Sequence, residues 1–175
     1  MAKLRKMLGS ADSPYIVSLM RLIETQSKET IANWCVAYAK NYFLDIYEKN
    51  YPEDLRLKES VDSFYAYLAK EITLAELKKI VANVNEAAKE AEDNPVAQAA
   101  ARAVGQAVAS IYTPTHSLGM AFYGAAAIAY DRVGLEESAE IYDQIAQEEC
   151  AKMEEALKNV AVLDEKKPAK INWNC

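Results

Sequence analysis

The chain's one histidine, His116, lies in the stretch YTPTHSLGMAFYG, one residue beyond a Thr-Pro pair. Histidine is the side chain that proteins use most often for proton transfer near neutral pH, and it is a common metal ligand. The pattern predicts that His116 lies in the first turn of a helix, with Thr113 as the capping residue and Pro114 at the first helical position. The positive end of the helix dipole disfavours a charged imidazole there, so we expect a neutral ring at pH 7.

Chemistry at His116 would need partner groups, and the sequence supplies none at a recognisable spacing. The three cysteines lack the spacing of zinc ligands. The chain has no serine-centred nucleophile motif, no phosphate-binding glycine loop and no H-E-x-x-H motif. We therefore expect no catalytic residue, no metal and no cofactor. His116 is predicted to be a framework residue with a hydrogen-bonded ring, and a functional histidine in a pocket is the alternative.

Polar and charged residues interrupt two segments that are rich in alanine. Arg102 and Gln106 are one helical turn apart in the first segment, and Asp131 ends the second. A buried charge without a partner is very costly. If the two segments form neighbouring antiparallel helices, we expect Arg102 to approach Asp131 and form an ion pair. A ligand clamp that includes Arg102, Asp131 and His116 is the alternative.

Acidic residues are concentrated near the end of the chain. Residues 135–160 contain eight acidic residues and two lysines, and their net charge equals the −6 of the whole chain. This helix is predicted to carry its charges opposite its apolar stripe, either as a solvated face or as a surface that steers a basic protein partner. The same negative charge disfavours binding to nucleic acid. The residues proposed for steering are Glu136, Glu137, Glu140 and Asp143.

Tyrosine is unusually frequent, with eleven residues in the chain. Tyrosine is typical both of half-buried framework positions and of protein interfaces. Both interpretations apply to the cluster in the second and third predicted helices, which contains Tyr38, Tyr42, Tyr47, Tyr51, Tyr65 and Tyr67.

Helical spacing of apolar residues explains nearly the whole chain, and no strand-like alternation occurs. We predict a single all-α domain over residues 1–175, a bundle of about seven helices with at least 65% helix. The alanine-rich helices should form its central pair. Residues 1–12 and 164–175 are expected to be peripheral or flexible, with Ile171 and Trp173 docking on the body. The first predicted helix begins at Pro14. The later helices cover residues 28–49, 58–71, 74–92, 96–112, 117–134 and 135–160.

Local signals fix several of these helix ends. Thr73 followed by Glu76 predicts a capping box, and Gly134 predicts a C-terminal cap. No uncharged apolar stretch has the length of a membrane span or a signal peptide, so we expect a cytoplasmic protein without membrane contact. Cys35 and Cys150 are expected to be reduced core residues, and Cys175 to be exposed.

Two blocks of the sequence resemble a family of bacterial immunity proteins, relatives of the fifth immunity-protein type in polymorphic toxin systems. The first block, residues 33–76, has a Trp-Cys helix, an aromatic and acidic helix end and then Pro-x-Asp-x-Arg. The second, residues 99–131, has an Ala-Arg-Ala-x-Gly segment followed by a histidine at a helix start. Two positions depart from the family pattern: Gln106 replaces a second histidine, and Leu57 replaces a proline.

This resemblance implies an all-α protein without chemistry of its own that binds a cognate toxin and neutralises it by occlusion. The alternatives are a small-molecule-binding or enzymatic helical domain with a pocket around His116, and a structural homo-oligomer that pairs through an alanine-rich or tyrosine-rich face. The matching blocks and the Arg102–Asp131 argument give the candidate binding residues Trp34, Glu48, Asp54, Arg56, Arg102, His116, Tyr123 and Asp131.

Overall fold

The computed structural model describes residues 3–174, which form eight α-helices and no strand. Helix covers 68% of this part of the chain, which confirms the predicted all-α single domain. The helices are α1 (Pro14–Ile23), α2 (Lys28–Tyr42), α3 (Leu44–Asn50), α4 (Arg56–Leu68), α5 (Leu74–Glu90), α6 (Pro95–Ala109), α7 (His116–Val133) and α8 (Ala139–Val160).

The predicted helix over residues 28–49 is divided into α2 and α3 at Phe43. The Phe43 ring is fully buried and packs against Gly124 of α7. A Cβ atom at Gly124 would lie 2.2 Å from Cζ of Phe43, so only glycine leaves room for the ring. The spacing of apolar residues did not reveal this break, because Phe43 also fits a continuous helical stripe.

Several predicted helix ends are confirmed by hydrogen bonds. Thr73 and Glu76 form the reciprocal capping box of α5. Gly134, with φ of 82°, caps the end of α7. The last helix begins later than predicted, because Ser138 accepts a hydrogen bond from the Ile141 amide and starts α8 at Ala139.

The predicted cap of α7 is wrong. Residues 113–115 form a turn, in which the His116 amide donates to the Thr113 carbonyl at 3.0 Å and the Ser117 amide donates to the Pro114 carbonyl at 3.1 Å. Thr115 directly precedes the helix and makes no side-chain cap bond. His116 therefore lies in the first turn, as expected, but the turn rather than a threonine cap satisfies the exposed amides.

The alanine-rich helices α6 and α7 form the centre of the bundle, as predicted. Most residues of both helices are buried, and α6 contacts α2, α3, α4, α5 and α7. Small side chains allow this close approach. At Gly119 of α7, an added Cβ would meet the Gln106 side chain of α6 at 2.3 Å. The alanine faces are consequently occupied within the chain.

Both terminal segments pack on the helices. Near the start, Leu8 is fully buried, its amide donates to the Phe122 carbonyl at 3.2 Å, and the Tyr130 hydroxyl donates to the Arg5 carbonyl. Near the end, the Trp173 indole donates to Glu24 at 2.6 Å. Ile171 and Trp173 are partly buried against the core, which confirms the predicted docking.

The cysteines within the helices are core residues, as predicted. Cys35 and Cys150 are both free and fully buried, and burial raises the pKa of each thiol, to about 12 for Cys150. The expectation for Cys175 lies outside the described residues.

Candidate functional site

The Pro-x-Asp-x-Arg motif forms a closed ionic cluster between α3, α4 and α5. Asp54 accepts hydrogen bonds from the Arg56 amide at 3.1 Å, from Arg56 Nε at 2.9 Å and from Arg56 Nη2 at 2.8 Å. The Tyr47 hydroxyl donates to the same carboxylate at 2.5 Å. Arg56 Nη2 also lies 2.6 Å from Glu90 of α5. The motif thus connects the α3–α4 turn to the neighbouring helix.

The electrostatics of this cluster follow from these bonds. Arg56 is the main reason that the pKa of Asp54 falls from 3.8 to about 2. Burial, followed by the bond to Asp54, raises the pKa of Tyr47. Asp54 and Arg56 are therefore charged at neutral pH, and the cluster satisfies their charges internally. The geometry indicates a stabilising role for two residues that the sequence placed in a binding site.

Trp34 lies beside a surface groove that is rich in tyrosine. Its side chain is buried, and its indole nitrogen donates to the Met153 carbonyl at 3.0 Å. The rings of Tyr38 and Tyr42 contact each other beside the groove at an interplanar angle of 40°, with centroids 4.5 Å apart. The volume of the groove is about 450 Å³. We name it the aromatic groove, and its lining is Thr30, Asn33, Trp34, Ala37, Tyr38, Asn41, Tyr42, Tyr65, Ala156 and Val160.

The predicted tyrosine cluster does not form a single surface. Tyr42 and Tyr65 are 53% and 39% exposed, and both line the aromatic groove. Tyr38 and Tyr47 are buried. Tyr51 and Tyr67 are partly buried against the core. The framework interpretation thus holds for the buried members of the cluster, and the interface interpretation stays a prediction for Tyr42 and Tyr65.

Arg102 and Tyr123 line a second concavity, which lies between the amino-terminal segment, α6 and α7. Its volume is about 280 Å³. Four of its lining residues are cationic, and one, Glu92, is acidic. We name it the basic cavity, and its lining is Lys3, Leu4, Arg5, Lys6, Glu92, Pro95, Gln98, Ala99, Arg102, Tyr123 and Tyr130.

The predicted ion pair between Arg102 and Asp131 is wrong. Asp131 pairs with Lys49 of α3 at 2.5 Å, and Arg102 has no ion pair within residues 3–174. Successive residues on a helix are rotated by about 100°. Tyr130 faces the basic cavity with Arg102, so Asp131 is turned toward a different neighbour. Contact between the two helices did not bring these two side chains together.

His116 lies on the same side of α7 as two tyrosines of the basic cavity. It precedes Tyr123 by seven residues, and Tyr123 precedes Tyr130 by seven, a spacing that keeps one helix face. His116 is half-buried and outside the cavity lining. Burial lowers the pKa of His116, which favours the neutral ring that we expected at pH 7.

The prediction that the His116 ring is hydrogen-bonded is wrong for one of its two nitrogens. Nδ1 is buried and has no hydrogen-bond partner in the described part of the chain.

The other candidate from the first block, Glu48, is half-buried in α3 and makes no ion pair with any described residue. The structure therefore brings Arg102 and Tyr123 together, keeps Asp54 with Arg56, and leaves Trp34, Glu48, His116 and Asp131 apart from both groups.

The acidic residues near the end of the chain have different environments. Glu136, Glu137 and Glu140 are exposed, and the first two precede α8. Asp143 pairs with Arg5 at 2.8 Å. Glu149 is only 3% exposed and pairs with Arg132 at 2.7 Å and Lys152 at 3.0 Å. The prediction that all these charges lie opposite the apolar stripe is thus wrong for Glu149.

Within residues 3–174, no group of three or more histidine, cysteine, aspartate or glutamate side chains is arranged to hold a metal ion. The helices of this region also include none with the length and apolar character needed to cross a membrane.

The fold and the two concavities define an all-α, single-domain protein with an aromatic groove and a basic cavity. The family model described as "Imm-5 like putative immunity protein" matches residues 21–156. The chain therefore belongs to this family, which confirms the resemblance seen in residues 33–76 and 99–131. A comparison with curated proteins finds no match, and a comparison with solved structures finds none either.

Sequence reasoning missed the contribution of the amino-terminal segment to the basic cavity. Lys3, Arg5 and Lys6 lie almost 100 residues before Arg102 in the chain, yet they line the same cavity. The short basic run KLRK was the available signal. This run alone does not indicate that Arg102 is its neighbour, because their proximity depends on how the amino-terminal segment packs along α7.

Proposed function

We propose that this chain is an immunity protein that binds a toxin protein and neutralises it by occlusion, with the aromatic groove as its main contact surface. Family membership supports a protein partner, because immunity proteins act on toxins. The observation that carries the choice of surface is the exposure of Tyr42 and Tyr65 beside one groove. Buried thiols at Cys35 and Cys150 fit a reducing cytoplasm.

The aromatic groove has the composition of a protein interface. Tyrosine gives a large apolar contact area at low conformational cost and is enriched among residues that dominate binding energy. Tyr42 and Tyr65 contribute such rings, and Val160 adds an apolar side chain that is 53% exposed. Asn33 and Asn41 add amide donors and acceptors at the edge. This mixture fits a partner surface better than it fits water alone.

The charge of the chain favours a basic partner. The net charge is −6, and Glu136, Glu137 and Glu140 are exposed and free of ion pairs within the described residues. A negative surface raises the rate at which a positively charged protein reaches the binding orientation. In this proposal the exposed acidic residues accelerate encounter, and the aromatic groove holds the complex.

The proposal is tested with candidate toxins taken from the products of the genes that neighbour the gene for this chain. Co-expression of the unaltered chain should restore growth of cells that produce the toxin. Tyr42→Ala and Tyr65→Ala should each raise the Kd for the purified toxin by about tenfold, a typical cost of removing a central aromatic residue. Isothermal titration calorimetry measures this change, and circular dichroism verifies that each variant is folded.

Leu55→Ala is a matched control, because Leu55 is also 53% exposed and does not line the groove. It should leave the Kd unchanged. If the tyrosine variants protect cells and bind toxin as the unaltered chain does, the groove is not the contact surface. If no neighbouring toxin is bound by the unaltered chain, the immunity function itself is refuted.

A homo-oligomer is the second structure that the same groove would permit. The alanine faces of α6 and α7 are occupied within the chain, so the tyrosines are the remaining candidate from the sequence. Light scattering on the purified chain distinguishes the two possibilities. A dimer that dissociates on Tyr42→Ala substitution would assign the groove to a second copy rather than to a toxin.

A further inference from the structure

The basic cavity has a charge opposite to that of the whole protein. Lys3, Arg5, Lys6 and Arg102 line it, and Glu92 is the one acidic residue of the lining. Arg5 already pairs with Asp143. The other three cations have no ion pair among residues 3–174. In a chain with a net charge of −6, an excess of unpaired cations in one concavity is unexpected from composition alone.

Arg102 is the residue that most needs explanation. It belongs to α6, where most residues are buried small side chains, and it is itself half-buried. A guanidinium that faces other cations across a partly enclosed cavity is repelled by them, and water screens the repulsion less there than on an open surface. An anion between these side chains would convert the repulsion into attraction.

The chemistry of the lining defines the class of anion. The guanidinium of Arg102 presents a planar fork of donors that matches two oxygens of a phosphate or carboxylate. Lys3 and Lys6 add two point charges, so the three unpaired cations favour an anion with more than one negative charge. A phosphate monoester carries nearly two charges at pH 7 and three acceptor oxygens, which matches this set better than a single carboxylate.

The remainder of the cavity accommodates an organic group. Tyr123 and Tyr130 form one wall from the same face of α7. The Tyr130 hydroxyl is engaged by the Arg5 carbonyl, so Tyr130 holds the amino-terminal segment in place. No hydrogen bond to the Tyr123 hydroxyl is present within the described residues, which leaves that group available to a ligand. The volume of about 280 Å³ limits the ligand to a small molecule.

We propose that the basic cavity binds a small phosphate monoester, with Arg102 as the central anion-binding residue. Lys3 and Lys6 complete the positive field, and Tyr123 contacts the organic group. This site is separate from the aromatic groove, since the two share no lining residue. The proposal therefore does not depend on a toxin partner.

The test uses the purified chain with phenyl phosphate, inorganic phosphate, succinate and sodium chloride at matched ionic strength. Thermal unfolding and calorimetric titration should show saturable stabilisation and binding with phenyl phosphate, weaker binding with inorganic phosphate, and none with chloride. Arg102→Gln should weaken binding of phenyl phosphate by about tenfold or more, a typical loss for one charge-assisted hydrogen-bonded pair. Lys6→Gln should weaken it less.

Arg21→Gln is the control, because it removes the same charge from an exposed position on α1 outside the cavity. It should leave the affinity unchanged, and circular dichroism confirms folding of each variant. Equal loss in the Arg21 and Arg102 variants would show a nonspecific charge effect and overturn the proposal. No binding to any phosphate above chloride would overturn it as well. Stronger binding of succinate than of phenyl phosphate would replace the phosphate assignment with a dicarboxylate.

Discussion

Two arginines from the family-like blocks have opposite surroundings. Arg56 donates to Asp54 and Glu90, so its charge is neutralised by the fold. Arg102 faces a cavity in which Lys3 and Lys6 are also unpaired within residues 3–174 and Glu92 is the one acidic residue, so the excess charge is positive. The residue type and the sequence evidence were similar for both. The difference teaches that a charge satisfied within the chain contributes to stability, whereas a charge left in a concavity is available for a ligand.

The same distinction separates the acidic residues of the carboxyl-terminal region. Glu149 is buried between Arg132 and Lys152, whereas Glu140 is exposed. Both residues contribute equally to the net charge. Only the exposed carboxylate is accessible to an approaching partner without a change in the fold.

The largest effect that we expect from this comparison is on stability. Asp54→Asn should lower the free energy of unfolding by about 2 kcal/mol, because it weakens several hydrogen bonds to a charged arginine. Arg102→Gln, without added phosphate, should change it by less than about 0.5 kcal/mol, since no internal ion pair is lost. Urea denaturation monitored by circular dichroism measures both. Equal losses in the two variants would refute the distinction between a satisfied arginine and a free one.

A second effect is the pH dependence of the Asp54 contribution. The folded pKa of Asp54 is about 2, below its ordinary value of 3.8, because of Arg56. Because its pKa is lower in the folded state, ionised Asp54 stabilises the fold at pH values above its unfolded pKa. This stabilisation is lost as the pH falls from about 4 toward 2. The advantage of the unaltered chain over Asp54→Asn should therefore decrease by about 2 kcal/mol across that interval. Urea titrations at several pH values measure it, and a difference constant down to pH 2 would contradict the assignment.

Local rules predicted the parts of the fold that depend on neighbouring residues. The Thr73–Glu76 capping box and the Gly134 cap lie within a few residues of the groups that they satisfy. Phe43 lies at the break between α2 and α3 and packs against Gly124, which is 81 residues further along the chain. Helical spacing carries no information about such a distant neighbour.

The candidate sites show the same limit. Asp54 and Arg56 were identified as a pair, but their role as a stabilising cluster depends on Glu90 of another helix. Arg102 and Asp131 were assigned to neighbouring helices correctly, and their failure to pair depends on the rotation of α7 about its axis. The sequence thus identified the residues and did not specify their directions.

His116 gives a smaller effect that sharpens the comparison between satisfied and unsatisfied groups. Its buried Nδ1 has no hydrogen-bond partner within residues 3–174. Replacing an unsatisfied polar group by an apolar one of similar volume is typically neutral or stabilising. His116→Leu should therefore leave the free energy of unfolding unchanged or raise it by up to about 1 kcal/mol, as measured by urea denaturation. A loss of about 2 kcal/mol or more would show that the ring makes a stabilising hydrogen bond.

The smallest expected effect is on the rate of toxin binding. Replacing Glu136, Glu137 and Glu140 together by glutamine removes three exposed charges without breaking an ion pair among the described residues. Association at low salt should slow by about threefold to tenfold, while dissociation should change little, because steering acts before contact. The difference should disappear as the ionic strength rises, since exposed charges are screened beyond about 8–10 Å at physiological salt. Stopped-flow mixing with the cognate toxin measures both rates.

Asp143→Asn provides the contrasting variant, because its carboxylate is already paired with Arg5. Asp143 was predicted from the sequence to belong to the steering surface with the three glutamates. Its ion pair cancels most of its field at a distance, so its replacement should slow association less than replacement of any one of the glutamates. An equal decrease in the association rate would mean that the rate depends on the net charge of the chain and not on whether a carboxylate is paired. The distinction between paired and free charges would then apply to stability and not to encounter.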